Sequence, residues 1–253
     1  LWFEASDKPD LAPYLSLDLI NNSNSNVIAP FGFGKVNQCG RLDTAYFINL
    51  YREYLNEKGI FINERFDYSS IEITSNGINY KGVSAKTIVF CEGFGVLQNP
   101  FFNYLPLNGT KGELITIHAP DLKLNQIIKS AVFVIPLGHD LYSVGSTYAW
   151  DDKTGLPTAG AREELESKLK RFITCDYKVV KHVAGIRPTI KDRRPLVGQH
   201  PKHEHLYILN GLGTRGVLIG PYVALHLFNA IYKNSPLESE LSIDRFSALY
   251  QDL

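Results

Sequence analysis

The sequence predicts an α/β fold combined with an antiparallel sheet: a parallel-sheet domain that is discontinuous in the chain, with an antiparallel domain inserted within it. Three observations lead there. Thr87 to Cys91 and Leu206 to Leu209, far apart in the chain, are apolar without alternation, the pattern of strands covered on both faces in a parallel sheet. Between them, Leu114 to His118, Ala131 to Ile135 and Leu141 to Gly145 are successive strand-like runs, which suggest an antiparallel layer. The length, 253 residues, leaves room for one large domain or two modest ones and for no repeat array.

In chain order, the first strong signal is a helix from Arg41 to Lys58. Leu42, Tyr46, Leu50, Tyr54 and Leu55 recur at helical spacing, with Arg52, Glu53, Glu57 and Lys58 opposite and Gly59 closing the run. Ile71 to Thr74 and Ile78 to Tyr80 then read as a hairpin about the turn pair Asn76 and Gly77. Thr87 to Cys91 enters the parallel sheet, where Cys91 reads as a small apolar core residue. After the three antiparallel runs, Leu165, Leu169 and Phe172 mark a second amphipathic helix, and Tyr177 to Ile186 reads as another strand. Past the second parallel strand, Val217 to Tyr232 is apolar nearly all round, which predicts an interior helix. The expected division is 1–62, 84–100 and 188–253 in the parallel-sheet domain, 63–83 as the hairpin and 101–187 as the antiparallel domain.

Composition narrows the partners. With 44% hydrophobic and 21% charged residues the chain can bury a sizeable core, and whole-chain disorder is excluded. Twenty-six basic side chains balance twenty-six acidic ones, so no one-signed field exists to hold nucleic acid or anionic lipid. Cys39, Cys91 and Cys175 are odd in number and widely spaced, which suggests neither a disulfide framework nor zinc. The seven histidines do not fall at metal-ligand spacing, and His200, His203 and His205 read as loop residues near a turn. No apolar run approaches the ~18 residues of a membrane span, and a cytoplasmic location is the default expectation. There is no methionine at all, even at position 1, which suggests that a leading segment or the methionines themselves are missing.

Gly211, Leu212, Gly213, Thr214, Arg215 and Gly216 spell GxGxxG between a strand and a helix. A dinucleotide fingerprint needs a second strand after the helix, ending in an acidic residue about 20 positions on. Here YKNSPLESE follows and the sequence soon stops, so a nicotinamide cofactor is not expected. What remains is the physics of the turn: glycines admit close backbone approach, and a helix beginning near Val217 aims N–H groups and a positive dipole end at whatever lies there. The plain alternative is a strand-to-helix turn merely tightened by glycine. Upstream, Arg187 stands between Gly185-Ile186 and Pro188, where a guanidinium could clamp a carboxylate or make a structural ion pair; the Lys191 to Arg194 run reads as a solvated loop.

These segments, in this order, resemble the FAD-dependent amine and D-amino-acid oxidase superfamily, which includes glycine oxidase, sarcosine oxidase and the flavin domain of a tRNA-modifying enzyme. The GRLDTAYFINLYREYL helix, TIVFCEGFG, KGELITI with YSVGSTY, and AGIRPTIKDRRPLVG through LYILNGLGTRGVLIGP carry the resemblance. It implies an FAD/NAD(P)-binding-type parallel-sheet domain with FAD extended along it and the ring at the boundary with an antiparallel substrate domain. The superfamily's opening βαβ unit, with its own GxGxxG, has no counterpart here. By motif position, Arg187 resembles the arginine that pairs with the substrate carboxylate, and Thr147, with Ser146, the strand end facing the ring. Gly211, Gly213, Thr214, Arg215, Gly216 and Val217 resemble the turn at the flavin pyrimidine edge, and Glu92 and Gly93 a turn passing near the cofactor. No cysteine follows Cys175, so the FAD is expected to be noncovalent.

The implied chemistry is oxidation of the C–N bond of a small amino acid or secondary amine carrying a carboxylate, by hydride transfer to the flavin. Placement by Arg187 would do most of the protein's work, and no general base is nominated. Three rival readings stand beside it: a 2-hydroxy-acid oxidoreductase with the same clamp, a tRNA-modifying flavin domain, and a fragment that keeps the fold without the cofactor. The zero net charge weighs against a standalone RNA binder.

Overall fold

The computed structural model describes residues 2–250. In chain order the elements are α1 (Trp2–Ser6), β1 (Leu15–Ile20), β2 (Phe33–Val36), α2 (Thr44–Glu57), β3 (Ile71–Thr74), β4 (Gly77–Tyr80), β5 (Val83–Ala85), β6 (Ile88–Phe90) and β7 (Thr110–His118). Then come β8 (Ile128–Lys129), β9 (Phe133–Gly138), β10 (Leu141–Gly145), α3 (Ala159–Leu169), β11 (Lys178–Arg187), β12 (Leu196–Gln199), β13 (Leu206–Asn210) and α4 (Gly216–Lys233). They divide into two compact units. One gathers the described residues up to Phe47 with Gly112–Ala149 and Gly155–Gly185; the other gathers Ile48–Lys111, Trp150–Thr154 and the described residues from Ile186 on.

The first unit is built on a five-stranded sheet in the order β11-β7-β10-β9-β8. Alternation along β7 and β10 explains its two faces. Ile115, Ile117, Tyr142 and Val144 point to one side and are buried with Val134 against Leu165 and Leu169 of α3, while Leu114, Thr116 and Ser143 point to the other and are half-buried. α3 starts at Thr158, whose hydroxyl accepts the Ala161 N–H. The buried Glu113 carboxylate accepts both the Thr158 N–H (2.8 Å) and its hydroxyl (2.9 Å), tying the helix start to β7. His182 Nε2 lies 2.9 Å from the same carboxylate.

Residues 2–47 are gathered into the unit of the five-stranded sheet. Val27 bridges to Ile173, the Ile28 N–H donates to Phe172 O, and Asn24 and Asn26 bond the carbonyls of Leu122 and Asp121. These long-range bonds leave no trace in local sequence periodicity; β1 and β2, joined to each other antiparallel, are not among the expected elements, although LSLDLI in β1 alternates as a strand does. β12 was also not foreseen, being short and broken by Gly198.

The second unit holds the sheet β12-β13-β6, in which β13 and β6 run parallel and β12 runs antiparallel to β13. A separate three-stranded sheet, β3-β4-β5, extends the expected hairpin by one strand. Thr74 pairs with Gly77, so the two central turn residues are Ser75 and Asn76 rather than Asn76 and Gly77. Phe90, Val96, Phe102, Leu196, Leu206 and Ile208 form the main core of this unit, and Val223 and Leu227 of α4 pack with Val197 and Leu241.

Four expectations about burial are corrected here. α4 is not interior: Leu218 (79% exposed), Tyr222, Leu225 and Tyr232 form an apolar stripe opposite the face that packs on the core. α2 has no buried residue at all, although its apolar spacing is helical as expected. In β6 only Phe90 is fully buried and Val89 is exposed, so that strand is covered on one face. Cys91 is exposed, continuing the alternation in which Val89 is exposed and Phe90 buried.

His200 lies in the loop between β12 and β13, as expected, and is buried there among Phe102, Tyr104, His203 and Tyr250. Its Nδ1 accepts the N–H groups of Lys202 (3.1 Å) and His203 (3.2 Å), so this nitrogen must be unprotonated in the fold. Burial, followed by the neighbouring His203, holds its pKa down to about 4. A histidine depressed from ~6.5 leaves the unfolded chain binding more protons over that interval. The contribution of His200 is therefore complete above about pH 6.5 and is lost as pH falls towards about 4. Thermal melts between those values are expected to show a falling midpoint, and His200→Phe should flatten the decline; an equally steep decline in that variant would remove His200 as its cause.

Candidate functional site

Because β6 and β13 are parallel neighbours, the chain leaves both at the same end of the sheet. In open α/β sheets ligands gather outside that carboxyl end, where turns lead into helices. Cys91, Glu92 and Gly93 follow β6; Gly211, Leu212 and Gly213 follow β13 and lead into α4.

The glycine turn has the left-handed backbone that favours glycine. Gly211 has φ +71°, and a Cβ there would lie 2.6 Å from Ile190 Cδ1 and 3.1 Å from the Leu196 nitrogen. Gly213 has φ +56°, and its N–H donates to Pro188 O at 3.1 Å. That bond joins the turn to the segment behind Arg187. The Thr189 N–H returns to Arg187 O (2.9 Å), the Thr189 carbonyl accepts from the N–H groups of Asn108 and Gly109, and the Thr189 and Thr110 hydroxyls bond each other at 2.7 Å. Arg187, half-buried at the end of β11, is thus one residue from the contact with the glycine turn.

No side chain caps the N-terminus of α4, an 18-residue helix, and the Arg215 N–H turns back to Leu212 O. The first N–H groups of such a helix and its dipole present a positive end to whatever lies beyond. Thr214, Arg215 and Val217 are exposed, and Gly216 is half-buried. The Arg215 guanidinium donates to Arg193 O at 2.7 Å, linking the turn to the 191–194 loop. That loop is exposed throughout, as expected, and is also tied down: Asp192 pairs with Arg245 (3.0 Å) and Arg194 with Glu240 (2.9 Å).

Of the residues after β6, Glu92 uses its carboxylate inwards, accepting the Tyr68 hydroxyl and the Asn99 side-chain amide (2.7 Å). Burial and then the Glu92 carboxylate push the Tyr68 pKa far above its ordinary value, so this hydroxyl stays protonated. In the first unit, Thr147 is buried beyond the end of β10, with its hydroxyl accepting the Glu113 N–H at 3.0 Å; Ser146 beside it is half-buried.

One residue joining these turns was not singled out from the sequence. Asn210, buried at the end of β13, donates through Nδ2 to Gly93 O (2.9 Å) and accepts the Gly211 N–H at Oδ1 (2.8 Å). A polar amide closing an apolar run, LYIL, directly before a glycine was the available signal.

Among the described residues, no group of His, Cys, Asp and Glu is placed to hold a metal ion, and no helix is long and apolar enough to cross a membrane.

Comparison with known proteins gives this geometry a context. Glycine oxidase of Bacillus subtilis (strain 168) is 28% identical over 134 residues, covering 50% of this chain and 36% of the oxidase. The tRNA 5-methylaminomethyl-2-thiouridine biosynthesis bifunctional protein of Aromatoleum aromaticum is 30% identical over 182 residues, covering 62% of this chain and 28% of that protein. In structure, L-proline dehydrogenase from P. horikoshii aligns with a TM-score of 0.66 at 14% identity, over 93% of this chain and 64% of its own. Glycine oxidase from Geobacillus kaustophilus aligns at 0.57 and 22% identity, over 73% and 51%. The chain therefore spans well under two thirds of the curated relatives it matches. Residues 28–230 match the DAO family of FAD dependent oxidoreductases, and the chain belongs to that family.

Proposed function

We propose that this chain supplies the flavin-ring side of an enzyme that oxidises the C–N bond of a small amino acid or secondary amine carrying a carboxylate. The observation that carries the reading is the Gly213 N–H to Pro188 O bond, which sets the segment of Arg187 directly against the glycine turn. The residues present fit an FAD ring. A glycine-rich turn, followed by a long helix with no side-chain cap, suits an electron-rich ring edge. Gly211, Gly213, Thr214, Arg215, Gly216 and Val217 would hold that edge, with Glu92 and Gly93 flanking it; the FAD is noncovalent in this reading. When bound, FAD supplies the acceptor for the substrate's hydride.

The rest of the work belongs to the protein. Arg187 pairs with the substrate carboxylate and orients the amine-bearing carbon, and such orientation lowers a barrier by several kcal/mol without an acid or base side chain. The start of α4 stabilises negative charge that develops beside it. Thr147 holds the end of β10 to β7 through Glu113 and belongs to the substrate side as a support. Relatives named glycine oxidase, together with structural neighbours named iminodiacetate oxidase and L-proline dehydrogenase, share an amine and a carboxylate in their named substrates, which supports this class.

The test is anaerobic mixing of the flavin-loaded enzyme with glycine, N-methylglycine, proline and glycolate. Bleaching of the oxidised flavin band by an amine and not by glycolate is the expected result; bleaching by glycolate alone would make it a 2-hydroxy-acid enzyme. The similarity to the tRNA biosynthesis protein favours one second reading, in which the amine belongs to a modified nucleoside. A gel shift with tRNA that weakens steeply between two salt concentrations would support it.

A further inference from the structure

We infer that Asn210 is a positioning residue that sets the spacing between the two flavin-facing turns, and so tunes how tightly this chain grips the ring. The inference rests on the FAD reading above. It starts from the ladder between β6 and β13, whose last paired residues are Phe90 and Ile208. Beyond that pair β6 turns away, while β13 stays paired with β12 as far as Asn210, so main-chain pairing between β6 and β13 no longer sets the distance between the turns that follow them. The Asn210 side chain takes over. Its amide donates to Gly93 O at 2.9 Å and its carbonyl oxygen accepts the Gly211 N–H at 2.8 Å, so one planar group fixes an acceptor of one turn and a donor of the other.

The chemistry of the position is specific. A primary amide carries a donor and an acceptor on one rigid plane, and at this buried site both are used. A carboxylate of the same shape keeps the acceptor for Gly211 and loses the donor, placing negative charge against the Gly93 carbonyl. A leucine of similar size loses both. Neither change alters a residue of the glycine turn or of α4, and the leucine adds no charge, so its effect on the ring passes through the lost bonds to the Gly93 and Gly211 backbone.

The experiment measures FAD affinity by flavin fluorescence quenching, with the visible spectrum of the bound flavin, for the intact wild-type enzyme, Asn210→Asp and Asn210→Leu. It is run well below each protein's melting temperature, with folding checked by circular dichroism. Both variants are expected to bind FAD roughly tenfold more weakly or worse, because a lost buried hydrogen bond has about that weight. Their residual bound flavin should show an altered band shape. A fall in melting temperature with unchanged affinity and spectrum would make Asn210 a stability residue only and overturn the inference. Should neither variant fold, amide exchange in the wild type decides: FAD is expected to slow exchange at Gly211, and an unchanged rate overturns the inference. A wild-type protein that takes up no FAD would instead overturn the functional reading itself.

Discussion

Arg187→Ala in the flavin-loaded enzyme is expected to raise KM for a carboxylate-bearing amine by roughly 30-fold to 300-fold while leaving FAD content unchanged. Removing one partner of a close charge pair costs about 2 kcal/mol or more, and the half-buried setting of Arg187 argues for the lower part of that range. Flavin content should not move because the groups assigned to the ring lie on the turns after β6 and β13 and at the start of α4. Arg187→Lys should recover part of the loss, since a lysine supplies the charge without the planar fork that meets a carboxylate with two parallel bonds. Steady-state kinetics with flavin occupancy measured in parallel gives the answer. An unchanged KM would strip Arg187 of its assigned role.

The second large effect is expected on stability. Gly211→Ala should destabilise the unit that contains β6 and β13 by about 2–4 kcal/mol. Two costs combine. The left-handed backbone at φ +71° disfavours any Cβ, and that Cβ would meet Ile190 Cδ1 at 2.6 Å and the Leu196 nitrogen at 3.1 Å. Ile190 is a flexible side chain that can yield, whereas Leu196 contributes backbone from the neighbouring strand β12 and cannot move without disturbing its pairing with Asn210. Denaturant melts of wild type and variant measure the difference. A midpoint shift worth less than about 0.5 kcal/mol would show that the turn relaxes freely.

The FAD family connection and the order of most elements were legible in the sequence because both reside in local patterns. Helical spacing marked α2, apolar runs marked β6 and β13, and the GLGTRG string marked the turn before α4. The same local patterns mislead about what covers each element. The residues of α4 read as apolar on every side, and periodicity carries no information about whether a second layer packs on Leu218, Tyr222 and Leu225. His200 lies in a loop, as it reads, but its burial there is hidden from local pattern for the same reason. Its burial is made by Phe102, Tyr104 and Tyr250, which lie far from it in sequence.

By itself, then, the amino-acid sequence determined most of the segments that become strands, helices and glycine turns, and which family they resemble, since dihedral preference and apolar spacing act over a few neighbouring residues. Only the tertiary structure decided that Pro188 meets Gly213, that Asn210 bridges Gly93 and Gly211, and that residues 24–28 join the antiparallel unit. Nearly all of those contacts are hydrogen bonds between segments distant in the chain. They arise from how the strands are stacked, and a polar atom finds its partner only after the backbone around it has been placed.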